Sequence, residues 1–185
     1  TFLEDAAYAA FADRIDAAVW IGFTGTNGIT ALGEILNGTV NPSGKLTDTW
    51  YQDVNDAGES DIPSILDYNM YATNGSKGRT YMYYTGDAVY PFGYGLSFTT
   101  YEYSNLKIDK TAYDANETVK VTFDVKNTGK VAGKEITQLY VAQPDAPAAL
   151  NRPIRRLEGF DKIELQPGES RTVTMEVKVP DLAFY

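Results

Sequence analysis

Val119-Lys120-Val121-Thr122-Phe123-Asp124-Val125-Lys126 alternates apolar and polar side chains without a break, and Thr172-Val173-Thr174-Met175-Glu176-Val177-Lys178-Val179 does the same. Successive side chains on a strand point to opposite faces, so each stretch offers one face to a core and one to water. Such stretches read as half-buried antiparallel strands. Asn127-Thr128-Gly129 and Gln166-Pro167-Gly168-Glu169 supply turns beside them, because Asn, Pro and Gly suit the backbone angles that a reversal needs.

Outward from this pair, the same period marks strands near 102–109, 118–127, 135–143, 155–164 and 170–179, with a sixth beginning at Leu182. An immunoglobulin-like sandwich has about seven strands. The C-terminal half is therefore predicted to be an immunoglobulin-like antiparallel β-sandwich, incomplete at its C-terminus.

Before residue 51 the period changes. Leu3 to Ile15 is rich in Ala, with Leu3, Phe11 and Ile15 as larger apolar residues and charges at Glu4, Asp5, Asp13 and Arg14. This is the pattern of an amphipathic helix. Ala17-Ala18-Val19-Trp20-Ile21, closed by Gly22, predicts a central strand of a parallel sheet, which is buried on both faces. Ile29, Leu32 and Leu36 return to helical spacing, with Thr26 or Asn27 to cap the start and Gly38 for the left-handed turn at the end. Asn41-Pro42-Ser43-Gly44 reads as a turn and Lys45 to Trp50 as a final strand. Helix, strand, helix, turn, strand makes an α/β sandwich fragment.

Residues 51–100 mix Asp, Asn, Gly and Ser with many aromatics, among them Tyr68, Tyr71, Tyr81, Tyr83, Tyr84, Tyr90, Phe92, Tyr94 and Phe98. Flexible linkers are poor in aromatics, so this segment is expected to be ordered. Residues 78–98 hold Pro91, four glycines and seven aromatics, which predicts a packed junction between the two halves.

Composition narrows the chemistry. The chain has 185 residues with no cysteine and no histidine. Those two zeros exclude thiol nucleophiles, disulfides, Ser-His-Asp triads and zinc sites that need Cys or His. Sixteen basic against 25 acidic residues give a net charge of −9. Such a surface repels phosphate backbones, so neither nucleic acid nor membrane is expected as a partner. No apolar run approaches the roughly 20 residues of a membrane span. The chain opens Thr1-Phe2-Leu3-Glu4 with no signal-peptide pattern visible there.

Three local patterns attract functional readings. Gly22 to Gly28 occupies the place of a phosphate loop but lacks the Gly-Lys-Ser/Thr ending and any nearby cation, so it reads as a tight connection. Asp48-Thr49-Trp50 sets a carboxylate beside an aromatic, as at a sugar site. Glycoside hydrolysis needs two carboxylates about 5 to 9.5 Å apart, and no partner for Asp48 is assignable. Asn37-Gly38-Thr39, Asn74-Gly75-Ser76 and Asn116-Glu117-Thr118 match the N-glycosylation pattern.

Longer strings carry a family resemblance. Asp16 to Leu46, ending Asn41-Pro42-Ser43-Gly44-Lys45-Leu46 and followed by Thr49-Trp50, resembles the last strand-helix-strand segment of family 3 glycoside hydrolases. Gly78-Arg79-Thr80-Tyr81-Met82-Tyr83-Tyr84-Thr85-Gly86 and Tyr90-Pro91-Phe92-Gly93-Tyr94-Gly95-Leu96-Ser97-Phe98 resemble the string that marks that family's C-terminal part. Asn127 to Glu135, Gln138 to Val141, Arg156 to Phe160, Gln166 to Glu169 and Asp181 to Tyr185 are similar to its fibronectin type III-like domain.

The resemblance implies a retaining exo-acting β-glycosidase, with an aspartate nucleophile on a TIM barrel and an acid/base carboxylate in an earlier part of the sandwich. Neither Trp20, after Val19, nor Trp50, after Thr49, matches the nucleophile's Ser-Asp-Trp context. No catalytic, cofactor or metal residue is therefore assigned, and no cofactor is expected. Asp67-Tyr68-Asn69-Met70-Tyr71 ahead of Gly78 looks more like β-xylosidase-type members than β-glucosidases. The expected domains are 1–55, the C-terminal part of the α/β sandwich; 56–100, an ordered junction; and 101–185, a truncated fibronectin type III-like sandwich. The chain is expected to be a fragment or one piece of a cut enzyme, inactive alone. Its expected partners are the missing barrel and sandwich segments and, through the complete enzyme, an oligosaccharide. Secreted or periplasmic placement is expected, with a cytoplasmic one as the alternative. A non-catalytic carbohydrate-binding or structural interaction module is the competing reading.

Overall fold

The computed structural model describes residues 14–51, 69–72, 76–147 and 150–183. The chain divides into two compact units. One comprises Thr1–Asn37, Leu46–Tyr94 and Ala142–Arg155, and the other Gly38–Lys45, Gly95–Val141 and Arg156–Tyr185.

The first unit holds α1 (Gly28–Leu36), β1 (Trp50–Tyr51), the single turn α2 (Thr80–Tyr83) and β2 (Ala88–Tyr90). The helix lies where the Ile29, Leu32, Leu36 spacing puts it. It ends as predicted: Asn37 N donates to Gly33 O at 3.0 Å, and Gly38 follows at φ +79°. A side-chain cap at its start does not form, because Asn27 already sits at φ −100°, ψ −7° and makes no capping bond. The helix predicted over residues 3–15 lies outside the described residues except for its last two.

Two of the strands predicted from sequence do not form as expected. Residues 17–21 pair with no strand among the described residues, and Val19, Trp20 and Ile21 are 48%, 56% and 39% exposed. A central parallel strand needs neighbours on both sides to satisfy its backbone, and none of the described elements offers one. The strand predicted over Lys45–Trp50 shrinks to β1, because residues 47–48 bend. The chain either side of that bend still pairs with one segment. Trp50 faces Tyr90 and Tyr51 faces Ala88 in antiparallel register. Leu46 N donates to Tyr94 O at 2.8 Å, and Leu46 O accepts from Gly93 N at 2.7 Å.

The second unit contains β3 (Tyr101–Ile108), β4 (Thr118–Asn127), β5 (Gly133–Val141), β6 (Arg156–Leu165) and β7 (Ser170–Lys178). All pairings are antiparallel, in sheets ordered β3-β4-β7 and β5-β6. Each strand lies within two residues of its sequence-based position. Val119 faces Val177, Val121 faces Met175, and Phe123 faces Val173. Both alternating stretches thus turn their apolar sides the same way, onto Ile163 and Leu165 of the other sheet. The core is Val121, Phe123, Val125, Ile163, Leu165, Val173 and Met175, each worth about 1.5–3 kcal/mol when removed from water.

The sixth strand expected from Leu182 is instead a 3₁₀ turn, Val179–Leu182. Val179 N still donates to Glu117 O at 2.9 Å, but Pro180 has no N–H with which to extend the ladder. No helix among the described residues is long and apolar enough to cross a membrane.

Candidate functional site

In the first unit, aromatic side chains from distant parts of the sequence line an open cavity of about 500 Å³, within the range of small-molecule sites. Trp20, Trp50, Tyr51, Tyr81 and Phe92 line it together with Met82, Val89, Asp48 and three threonines. The rings brace one another. Trp20 and Trp50 meet edge to face at 5.4 Å, Trp50 and Tyr90 at 5.7 Å, and Tyr81 stacks on Phe92 at 4.1 Å. Edge and offset geometries suit the ring quadrupole.

The wall at Thr80 is built under strain. This β-branched residue has φ +57°, a left-handed conformation that costs such residues about 1–3 kcal/mol. What holds it is the Tyr51 hydroxyl, which accepts from Thr80 N at 2.7 Å, and Thr80 O, which accepts from Tyr84 N at 2.9 Å. Burial pushes the Tyr51 phenol up from its ordinary pKa, so it stays a neutral acceptor. Behind it Tyr84 is buried, meets the Tyr51 ring at 4.8 Å and donates its hydroxyl proton to Asp87 O. Backbone bonds from Arg79 N to Met70 O (2.9 Å) and from Ile154 N to Met82 O (2.7 Å) fix this wall on two further segments.

The sequence singled out Asp48, and the structure places it on the cavity lining, exposed to solvent. Among the described lining residues it is the one carboxylate. The described lining thus offers aromatic faces, hydroxyls and one acid, a set suited to binding; it does not assemble the paired carboxylates of glycoside hydrolysis. Thr49 Oγ1 is buried with no hydrogen-bond partner among the described residues. That Trp20 and Trp50 come together is not legible in the sequence, because 29 residues separate them and no local pattern links the two.

The other singled-out residues separate. Gly22–Gly28 leads into α1, and no lysine or arginine occurs between Arg14 and Lys45, so the connection reading stands. Asn37 and Asn116 are exposed, whereas Asn74 lies outside the described residues, as do Asp67 and Tyr68. Tyr71 is ordered against Tyr83 at 5.0 Å, edge to face. The 78–98 segment is ordered but unevenly buried: Phe92 is half-buried, while Tyr94, Leu96 and Phe98 are 39%, 74% and 51% exposed. It divides after Tyr94 between the two units.

Comparison with known proteins gives this architecture a family. Residues 4–98 match the glycosyl hydrolase family 3 C-terminal domain. The chain belongs to glycosyl hydrolase family 3. Residues 135–185 of this family 3 chain match the fibronectin type III-like domain. Thermostable beta-glucosidase B of Acetivibrio thermocellus is 38% identical over 84% of the chain, which covers 20% of that protein. Xylan 1,4-beta-xylosidase of Xylanibacter ruminicola is 35% identical over 94% of the chain and 18% of its own length. The crystal structure of beta-D-glucoside glucohydrolase from Trichoderma reesei superposes with a TM-score of 0.76 at 31% identity, covering 98% of this chain and 27% of that one. The chain thus spans about a fifth of the length of the curated family 3 relatives it matches.

Proposed function

We propose that this chain is the C-terminal portion of a retaining exo-acting β-glycosidase, a β-xylosidase or β-glucosidase, that removes terminal non-reducing β-linked sugars from oligosaccharides. The catalytic carboxylates lie outside it. One observation carries this reading: residues 4–98 match the family 3 C-terminal domain and residues 135–185 the fibronectin type III-like domain, while the chain covers only about a fifth of the length of its family 3 relatives. Among the described lining residues of the aromatic cavity Asp48 is the one carboxylate, which agrees with a supporting role. In this reading residues 1–55 complete the α/β sandwich, 56–100 form an ordered junction, and 101–185 form the fibronectin type III-like sandwich. Its partners are the barrel and the earlier sandwich segments, and its substrate is met through them. Secreted or periplasmic placement fits an enzyme that trims oligosaccharides outside the cytoplasm.

The test is the isolated chain with nitrophenyl β-xyloside and β-glucoside. It is expected to give no turnover above a boiled control. Turnover that survives repurification overturns the reading. A second reading, a carbohydrate-binding module, is favoured by the Trp20, Trp50, Tyr81 and Phe92 rings and by the Thr49 hydroxyl, which has no partner among the described residues. Calorimetric binding of xylo- or cello-oligosaccharides to the isolated chain, abolished by Trp50→Ala, is the outcome it requires.

A further inference from the structure

Asn41-Pro42-Ser43-Gly44-Lys45 reads from sequence as a turn, and it falls within the stretch matched to the family 3 C-terminal domain. In the structure, residues 38–45 fold with the β-sandwich, although the chain up to Asn37 and from Leu46 belongs to the other unit. An ordinary turn closes on itself through bonds between near neighbours. The side-chain bonds here instead reach residues 50 to 91 positions away.

Each end of the segment is held by a specific set of groups. Asn41 uses both ends of its amide: Nδ2 donates to Ala132 O at 3.0 Å, and Oδ1 accepts from Phe98 N at 2.8 Å. A residue with only a donor or only an acceptor can make one of these bonds, not both. Four residues on, Lys45 Nζ donates to Gly95 O at 2.8 Å and pairs with Glu135 Oε2 at 3.3 Å. The other Glu135 oxygen accepts from the Tyr103 hydroxyl at 2.9 Å. The pair is largely withdrawn from solvent, with side chains 18% and 11% exposed, so each charge depends on the other.

The sandwich also leaves room. A Cβ on Gly95 would stand 2.2 Å from Gly44 O, and one on Gly133 would stand 2.7 Å from Asn41 Nδ2 and 2.3 Å from the Tyr101 hydroxyl oxygen. All three distances are far inside van der Waals contact, so any larger residue at either glycine displaces the segment or its neighbours.

We infer that residues 38–45 are a clasp read by the β-sandwich, with Asn41 and Lys45 as the residues that specify its seat and Gly95 and Gly133 as those that clear it. The sandwich thereby carries a recognition surface for an Asn-x-x-x-Lys peptide, occupied by this chain's own segment. The two ends act as one: release of either frees the other, because only three residues join them.

Per-residue amide exchange on the full 185-residue chain tests this. In Asn41→Ala the Phe98 amide loses its acceptor and exchanges about tenfold faster, the factor one intramolecular hydrogen bond confers. In Lys45→Met, which leaves Asn41 and Phe98 untouched, the Phe98 amide speeds up as well. The double variant exchanges no faster there than the quicker single one. Amides of α1 and β4 keep their parent rates in all three. An unchanged Phe98 rate in Lys45→Met would mean two independent contacts and overturn the clasp. Equal acceleration in α1 and β4 would mean general loss of folding and overturn it too.

Discussion

Asn127 shows what a single residue does here that its sequence context conceals. In sequence it opens a turn, Asn127-Thr128-Gly129; in the structure it is fully buried at the end of β4. Its Oδ1 accepts from Thr99 Oγ1 (2.7 Å) and Gly129 N (3.0 Å), and its Nδ2 donates to Val131 O (2.8 Å) and Leu165 O (3.0 Å). Local pattern marks Asn as a turn former; only contacts as far away as Leu165 make it a hub. Asn127→Ala strands several buried groups, and each unsatisfied group costs about 1–3 kcal/mol. A loss of about 2–4 kcal/mol in urea unfolding is expected; a loss under about 0.5 kcal/mol, the usual surface value, would contradict the hub. Tyr103 gives a pH signature. Burial first, then the Glu135 charge and hydrogen bond, raise its phenol well above the ordinary 10.0. A raised pKa in the folded state makes its contribution complete below about pH 10 and lost progressively as pH rises above that. Half of the residue remains exposed, so solvent tempers the effect. Stability should fall above pH 10 more steeply in the parent than in Tyr103→Phe; equal alkaline slopes would count against it.

Elements were legible wherever their determinants are local. The β4 and β7 alternation placed both strands, because a period of two with one wet face fixes which side is buried. Residues 17–21 have equally strand-like composition, yet their pairing depends on neighbours that no local pattern supplies. Lys45–Trp50 was shortened by a bend at 47–48, and the strand expected at Leu182 was pre-empted by Pro180. Burial follows the same division and sets the next expectation. Leu165 is fully buried in the sandwich core, whereas Phe92 is half-buried and stacked on Tyr81. Leu165→Ala should cost about 2–5 kcal/mol. Phe92→Ala should cost roughly 1–2 kcal/mol, in proportion to the smaller area removed from water. Thermal unfolding of the two variants checks the order; a larger loss for Phe92→Ala would mean that ring is more enclosed than the cavity wall shows.

At the scale of the molecule, sequence order and spatial order part company. Read along the chain, the domains are consecutive blocks; in space, residues 38–45 leave the first unit for the second and 142–155 return the other way. The candidate site has the same character. The sequence marks Tyr81 and Phe92 as aromatics needing order and Asp48 as a carboxylate beside an aromatic, but Trp20 and Trp50 meet only through folding. Asp48 is the single acid among that cavity's described lining residues, and the chain covers about a fifth of the length of its family 3 relatives, so the nucleophile is expected elsewhere. Mechanism-based trapping of the complete enzyme tests this most directly. A 2-deoxy-2-fluoro glycoside accumulates the covalent glycosyl-enzyme of a retaining mechanism, and peptide mass spectrometry then locates the sugar. The labelled carboxylate is expected outside the 185 residues of this chain; a label on Asp48, or on any other residue within it, would put the nucleophile on this chain and contradict that expectation.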